Sequence, residues 1–163
     1  MLKTNVNTRL LGKDKQWVRW KEVSYHLSVA LQQLCLSKNS LSIELIHQLL
    51  HIGVELNKDN NVFLLDEELA SMRKGREFLS QINDGIPRTR TSTELMMKTR
   101  EAHRKTPLTR DQFENLVLSM VYSALQVGAQ RNKEEREAWG GVLIQLANIT
   151  TYDLRGGFLY NYA

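Results

Sequence analysis

The chain reads as all-α, a single-domain helical bundle of four to five helices around a central helix at 109–130. Three observations predict this. Thr109 to Gln130 carries the longest run of helical periodicity, other segments repeat the three- and four-residue spacing, and two prolines in 163 residues leave few breaks. A chain of this length buries roughly 70% of its unfolded surface and needs no disulfide staples. Its composition is ordinary for a globular protein, with 42% hydrophobic and 25% charged residues. The net charge of +4 and pI near 9.3 permit an anionic partner without requiring one.

The organisation read from the chain is a mobile basic arm over 1–13, a helical domain over 14–155 and an aromatic, glycine-rich tail over 156–163. Trp17, Trp20, Val23, Leu27, Ala30, Leu31 and Leu34 form one stripe and predict a helix from Asp14 to Leu36. Ser37 to Ser40 is a turn, and Ser42 caps a second helix running to about Asn57, with Leu45, Leu49, Ile52 and Leu56 on its core face. Lys58 to Asn61 breaks that pattern, and Val62 to Leu65 is a short apolar run with extended character. Asp66 caps a third helix, with Glu67 and Glu68 at the positive end of its dipole and Leu69, Met72, Leu79 and Ile82 as its buried side. Asn83 to Pro87 ends it, with Gly85 suited to a left-handed cap.

Arg88 to Lys105 is a basic, Thr-rich connection holding a short helix around Glu94 to Arg104. In the central helix, Phe113, Leu116, Val117, Met120, Val121, Ala124 and Gly128 make an apolar face widened by Leu118, Tyr122 and Leu125. The remaining strip, Gln112, Asn115, Ser119, Ser123, Gln126 and Gln130, holds no charge. A strip of that kind predicts that other helices surround it. Thr109 and Gln112 have capping-box spacing. The last helix, about Glu134 to Leu154, turns Trp139, Val142, Leu143, Leu146, Ile149 and Thr150 to one side.

Read together, the third and central helices resemble the vertebrate group called family with sequence similarity 180. The resemblance rests on the run Asp66 to Lys74, on Ile86-Pro87, on Asp111 to Tyr122 with its Phe113-Glu114 pair, and on Trp139, Leu143 and Asp153-Leu154. It spans about residues 44–155 and brings no catalytic motif, cofactor or established activity. It implies a small secreted protein that begins with a signal peptide. This chain instead opens on a basic arm and, as written, reads as cytoplasmic.

The candidate chemistry is sparse. Glu44, His47, His51 and Glu55 share one polar helix face, but no second Glu-x-x-His completes a carboxylate-bridged site, so the face reads as solvated and no metal site is assigned. Cys35 reads as a packed thiol. No catalytic or cofactor-binding residue is assigned, and the chain reads as non-enzymatic, acting through an unidentified protein partner. Trp17 and Trp20 are candidate anchors for that partner, and peripheral membrane contact through them is the lesser reading.

The alternative is weak anion or nucleic-acid binding through the 88–110 connection, where Arg88, Arg90, Arg104 and Lys105 concentrate positive charge. No aromatic side chain interleaves there to stack a base, which disfavours nucleic acid. Thr91 and Ser92 follow arginines, as in many phosphorylated loops. Asn148-Ile149-Thr150 is a candidate glycosylation acceptor, pointing away from the apolar face of its helix. Glu114 reads as paired with an arginine from a neighbouring helix. No run approaches the roughly eighteen apolar residues that span a bilayer.

Overall fold

The computed structural model describes residues 53–157. The expected helix over 14–36 and the expected second helix up to residue 52 lie outside that range. Two short strands open the described part: β1 (Val54–Leu56) and β2 (Val62–Leu64), antiparallel, with Val54 opposite Leu64 and Leu56 opposite Val62. Val62 and Leu64 point inward and are buried, with Phe63 between them on the other face, the two-residue period of a strand. Here the all-α expectation and the helix to Asn57 are corrected. The fold is mostly helical with a small two-stranded sheet.

Two local features explain the switch. Gly53 sits at φ +112°, which no right-handed helix allows, and its carbonyl accepts from the Leu65 amide at 3.1 Å. The intervening turn is held by Asn57, whose side-chain oxygen accepts from the amides of Asp59 and Asn61 at 2.8 and 3.0 Å. Asn60 takes the left-handed conformation at φ 59°, a position asparagine tolerates better than most residues. The apolar run at Val62 is extended, as its composition suggested.

Asp66 caps α1 (Glu67–Ser71), accepting from the amides of Glu68 and Leu69. The expected continuous third helix is broken at Met72, whose ψ of 150° is extended, and resumes as α2 (Arg73–Ser80). The two pieces approach so closely that a Cβ on Gly75 would lie 2.0 Å from the Leu69 carbonyl oxygen. Only glycine fits there. The break turns Met72 out to 52% exposure, against its expected burial, and Phe78 fills the core beside Ile82. Leu69 and Leu79 are half-buried against that core.

After α2 the chain widens into a π-helical turn (Gln81–Gly85). Gly85 does not adopt the left-handed cap expected of it; the helix stops because Ile86 is extended and Pro87 follows. Asn83 in this turn grips β2: its Nδ2 donates to the Val62 carbonyl at 2.9 Å and its Oδ1 accepts from the Val62 amide at 2.8 Å. Both groups would otherwise be left unpaired at a strand edge.

The basic connection contains α3 (Arg90–Ala102), which begins earlier than the expected Glu94 because Thr89 and Ser92 form a reciprocal capping box. The central helix is α4 (Arg110–Ala129), started by the expected capping box between Thr109 and Gln112. Its short connection to α5 (Lys133–Gly157) makes the two an antiparallel pair, and this is the most extensive helix packing among the described residues.

Val117 of α4 and Leu146 of α5 have no solvent exposure, and the whole predicted face of α5 from Trp139 to Thr150 is buried. The Tyr122 and Trp139 rings meet edge-to-face at 5.9 Å, the geometry their quadrupoles favour. Gly128, expected on the apolar face, is exposed near the helix end. α3 packs mainly on α5, tied there by Arg100 and Asp153 at 2.8 Å. The Arg100 guanidinium also donates to the Thr106 carbonyl, so this buried pair is not left with its charge uncompensated.

Candidate interaction surface

The uncharged strip of α4 has two fates along its length. At its C-terminal half it meets the hairpin turn. The Tyr122 hydroxyl donates to the Asn60 carbonyl at 3.2 Å, Gln126 Nε2 donates to the Tyr122 hydroxyl at 2.9 Å, and Gln130 Nε2 donates to Gln126 Oε1 at 2.8 Å. The absence of charge on the strip signalled burial, and Ser119, Ser123 and Gln126 are indeed buried. That Asn60 of the hairpin turn would meet it was not legible, because no spacing relates residue 60 to residue 126.

At its N-terminal half the strip opens into a groove between α3 and α4, about 420 Å³ in volume. Leu95, Met96, Leu108 and Leu116 give it apolar walls, with Gln112 and Asn115 on the α4 side. Leu95 is 65% exposed. The signal was present in the sequence, since Leu95, Met96 and Met97 are consecutive and three neighbours cannot share one face of a helix. Met97 takes the core, which leaves Leu95 outside.

The cations of the 88–110 connection are largely engaged within the fold. Arg88 donates to the backbone carbonyls of Asn83, Asp59 and Asn60, bracing the hairpin turn. Arg90 pairs with Glu135 of α5 at 3.2 Å. Arg104 pairs with Glu101 and stacks its guanidinium 4.7 Å from the centre of the Tyr152 ring. Lys98 and Lys105 are exposed. Three of the connection's cations thus also brace the fold.

Among the described residues Glu114 finds its arginine on its own helix, at Arg110 one turn earlier and 3.0 Å away, where a neighbouring helix was expected to supply it. Spacing of four residues makes that pair the nearest available. Asn148 is exposed, whereas the Thr150 hydroxyl of the same acceptor pattern is buried and donates to the Leu146 carbonyl. Trp17, Trp20, Cys35, Glu44, His47 and His51 lie outside the described residues; Glu55 is exposed on β1. Among the described residues no His, Cys, Asp and Glu side chains gather in a metal-binding group, and no helix is long and apolar enough to cross a membrane.

A second exposed surface lies at the break between α1 and α2. Leu65 and Met72, each 52% exposed, stand at the two ends of α1. Asp66, Glu67 and Glu68 lie exposed on one side of the break, and Arg73, Lys74 and Arg76 on the other. Arg73 holds Glu77 at 2.9 Å along the outer face of α2. This corner contains the whole Asp66 to Lys74 run that carries the family resemblance.

Comparison with known proteins agrees with that resemblance. The chain is 33% identical to Protein FAM180B of Homo sapiens over 116 residues, covering 71% of this chain and 63% of the relative. The matched region is thus under two thirds of the relative's length. No solved structure matches the chain. The model of the FAM180 family matches residues 15–154, and the chain belongs to that family.

Proposed function

We propose that this protein is a non-enzymatic binding protein that engages a protein partner through the α1–α2 corner. The carrying observation is Met72, turned outward by the helix break that Gly75 permits. An exposed methionine beside Leu65, flanked by separate acidic and basic groups, supplies adaptable apolar contact with charges that select orientation. The resemblance to a group of small secreted proteins supports action as a small secreted factor. Weak anion binding through the 88–110 connection is the lesser reading, because Arg88, Arg90 and Arg104 already serve the fold.

The test is recovery of the tagged full chain from both medium and cells, with copurifying protein identified for the parent, for Met72→Ala and for Arg73→Glu. The expected outcome is a partner recovered with the parent and reduced about tenfold by either variant, a difference of about 1.4 kcal/mol. Both side chains are exposed, so the variants should melt with the parent. Undiminished recovery of the same partner by both variants would move the interface elsewhere.

A further inference from the structure

We infer that Asn148 is an acceptor for N-linked glycosylation and that the folding of α5 closes it, so that the sugar is attached before this helix forms. The site comes into use only where the secreted-factor reading holds, since a chain meets the transferase in the secretory lumen.

Asn148-Ile149-Thr150 is the single Asn-x-Ser/Thr run in the 163 residues, and the residue between is not proline. Asn148 is exposed, and among the described residues no side-chain hydrogen bond engages its amide. It stands in the outer stripe of α5 with Glu137, Gly141, Gln145 and Tyr152, all exposed and spaced at three or four residues. The opposite side, from Trp139 to Thr150, is committed to the core. A bulky hydrophilic group is therefore accommodated at Asn148 without displacing a packed side chain.

The acceptor pattern is a pair of side chains, the asparagine amide and a hydroxyl two residues on. An extended chain presents residues i and i+2 on one side, where a single enzyme site can read both. In a helix the same two residues lie about 200° apart. Thr150 is accordingly turned into the core at 1% exposure, and its hydroxyl donates to the Leu146 carbonyl at 2.8 Å. The folded helix thus shows the transferase only the asparagine. Modification has to come first, and folding and the transferase compete for one hydroxyl.

The reaction joins the Asn148 side-chain nitrogen to the anomeric carbon of an oligosaccharide carried on a polyprenyl pyrophosphate. The bond from that carbon to the pyrophosphate oxygen breaks, the polyprenyl pyrophosphate leaves with the electron pair, and the nitrogen gives up one proton. The Thr150 hydroxyl is not consumed.

The experiment expresses the full chain in animal cells, as it stands and behind a supplied secretory signal peptide, and follows each form in cells and medium. With the signal supplied, two bands are expected, the slower one the minor species and collapsing onto the faster after treatment with a glycan-releasing amidase. Asn148→Gln should leave only the faster band, whereas Thr150→Ser, which keeps a hydroxyl, should keep both. Leu146 has no solvent exposure, so Leu146→Ala destabilises α5 and should turn the modified species from a minority into a majority of all molecules recovered. No amidase-sensitive band with the signal supplied would overturn the site. A parent already fully modified, or a modified share that Leu146→Ala leaves unchanged, would overturn the competition with folding. The form without added signal tests the secreted-factor reading separately: its absence from the medium would sink that reading and leave the result for Asn148 standing.

Discussion

The two ends of the α4 strip are built from the same kinds of side chain and reach opposite solutions. Toward Gln130, glutamine, tyrosine and asparagine form a chain of hydrogen bonds that seals helix to hairpin. Toward Gln112, the strip borders a groove in which Leu95, Met96, Leu108 and Leu116 stand among polar groups of Thr99, Arg100 and His103. Serine, asparagine and glutamine along a buried helix are therefore not a single signal. Toward Gln130 they join a tyrosine and an asparagine side chain of the turn, and toward Gln112 they border a groove.

The largest break in this comparison comes from removing the core that supports both ends. Val117 is fully buried and Met120 nearly so, on the side of α4 that faces the rest of the fold. Val117→Asp or Met120→Asp places an unpaired charge there, at a cost of several kcal/mol against a total stability on the order of 5–15 kcal/mol. The expected result is loss of the cooperative thermal transition followed by circular dichroism. A variant that melted with the parent would mean that α4 is not the centre of the fold.

That centre was legible in the sequence because every signal for it was local or periodic. The Thr109–Gln112 capping box, the apolar face from Phe113 to Val121 and the matching face of α5 from Trp139 to Thr150 all appear where spacing put them. The hairpin was not legible, since Leu56 continues a helical spacing, whereas the strand is set by the backbone of Gly53, at φ +112°, and by the turn that Asn57 holds. The break at Met72 was hidden for a related reason. It brings the Leu69 carbonyl so close to Gly75 that only glycine is tolerated there, and no periodicity reports a close approach of backbones.

The surfaces were less legible than the core. Arg88 and Arg90 read as free cations because their partners lie elsewhere in the sequence or on backbone carbonyls that carry no residue signature, whereas Arg104 has Glu101 three residues before it and meets the distant Tyr152 ring as well. Leu95 was hidden among these cations, although its two methionine neighbours could have exposed it. Asn148 was placed correctly because the polar side of α5 follows directly from its apolar side.

An intermediate effect tests the sealed end. Gln126→Ala removes the amide that donates to both the Tyr122 hydroxyl and the Asn60 side chain, and leaves a void beside them. The expected loss is about 2 kcal/mol, combining an unmade buried hydrogen bond with lost packing. Chemical denaturation would measure it. A loss below about 0.5 kcal/mol would show that the hairpin is held by β1 and Asn83 and not by the polar chain.

The smallest effect belongs to the other end of the same strip. Gln112 is exposed, and its side-chain oxygen accepts from the Thr109 amide at 3.1 Å, completing the capping box. Gln112→Ala removes one solvent-exposed, uncharged hydrogen bond, and water can replace the lost acceptor, so about 0.5 kcal/mol is the expected cost. Measured beside Gln126→Ala in the same denaturation series, it should fall about fourfold lower. Equal costs would mean that Gln112 also meets a buried neighbour across the mouth of the groove, and the contrast between a sealed and an open end would then give way to a strip covered along its full length.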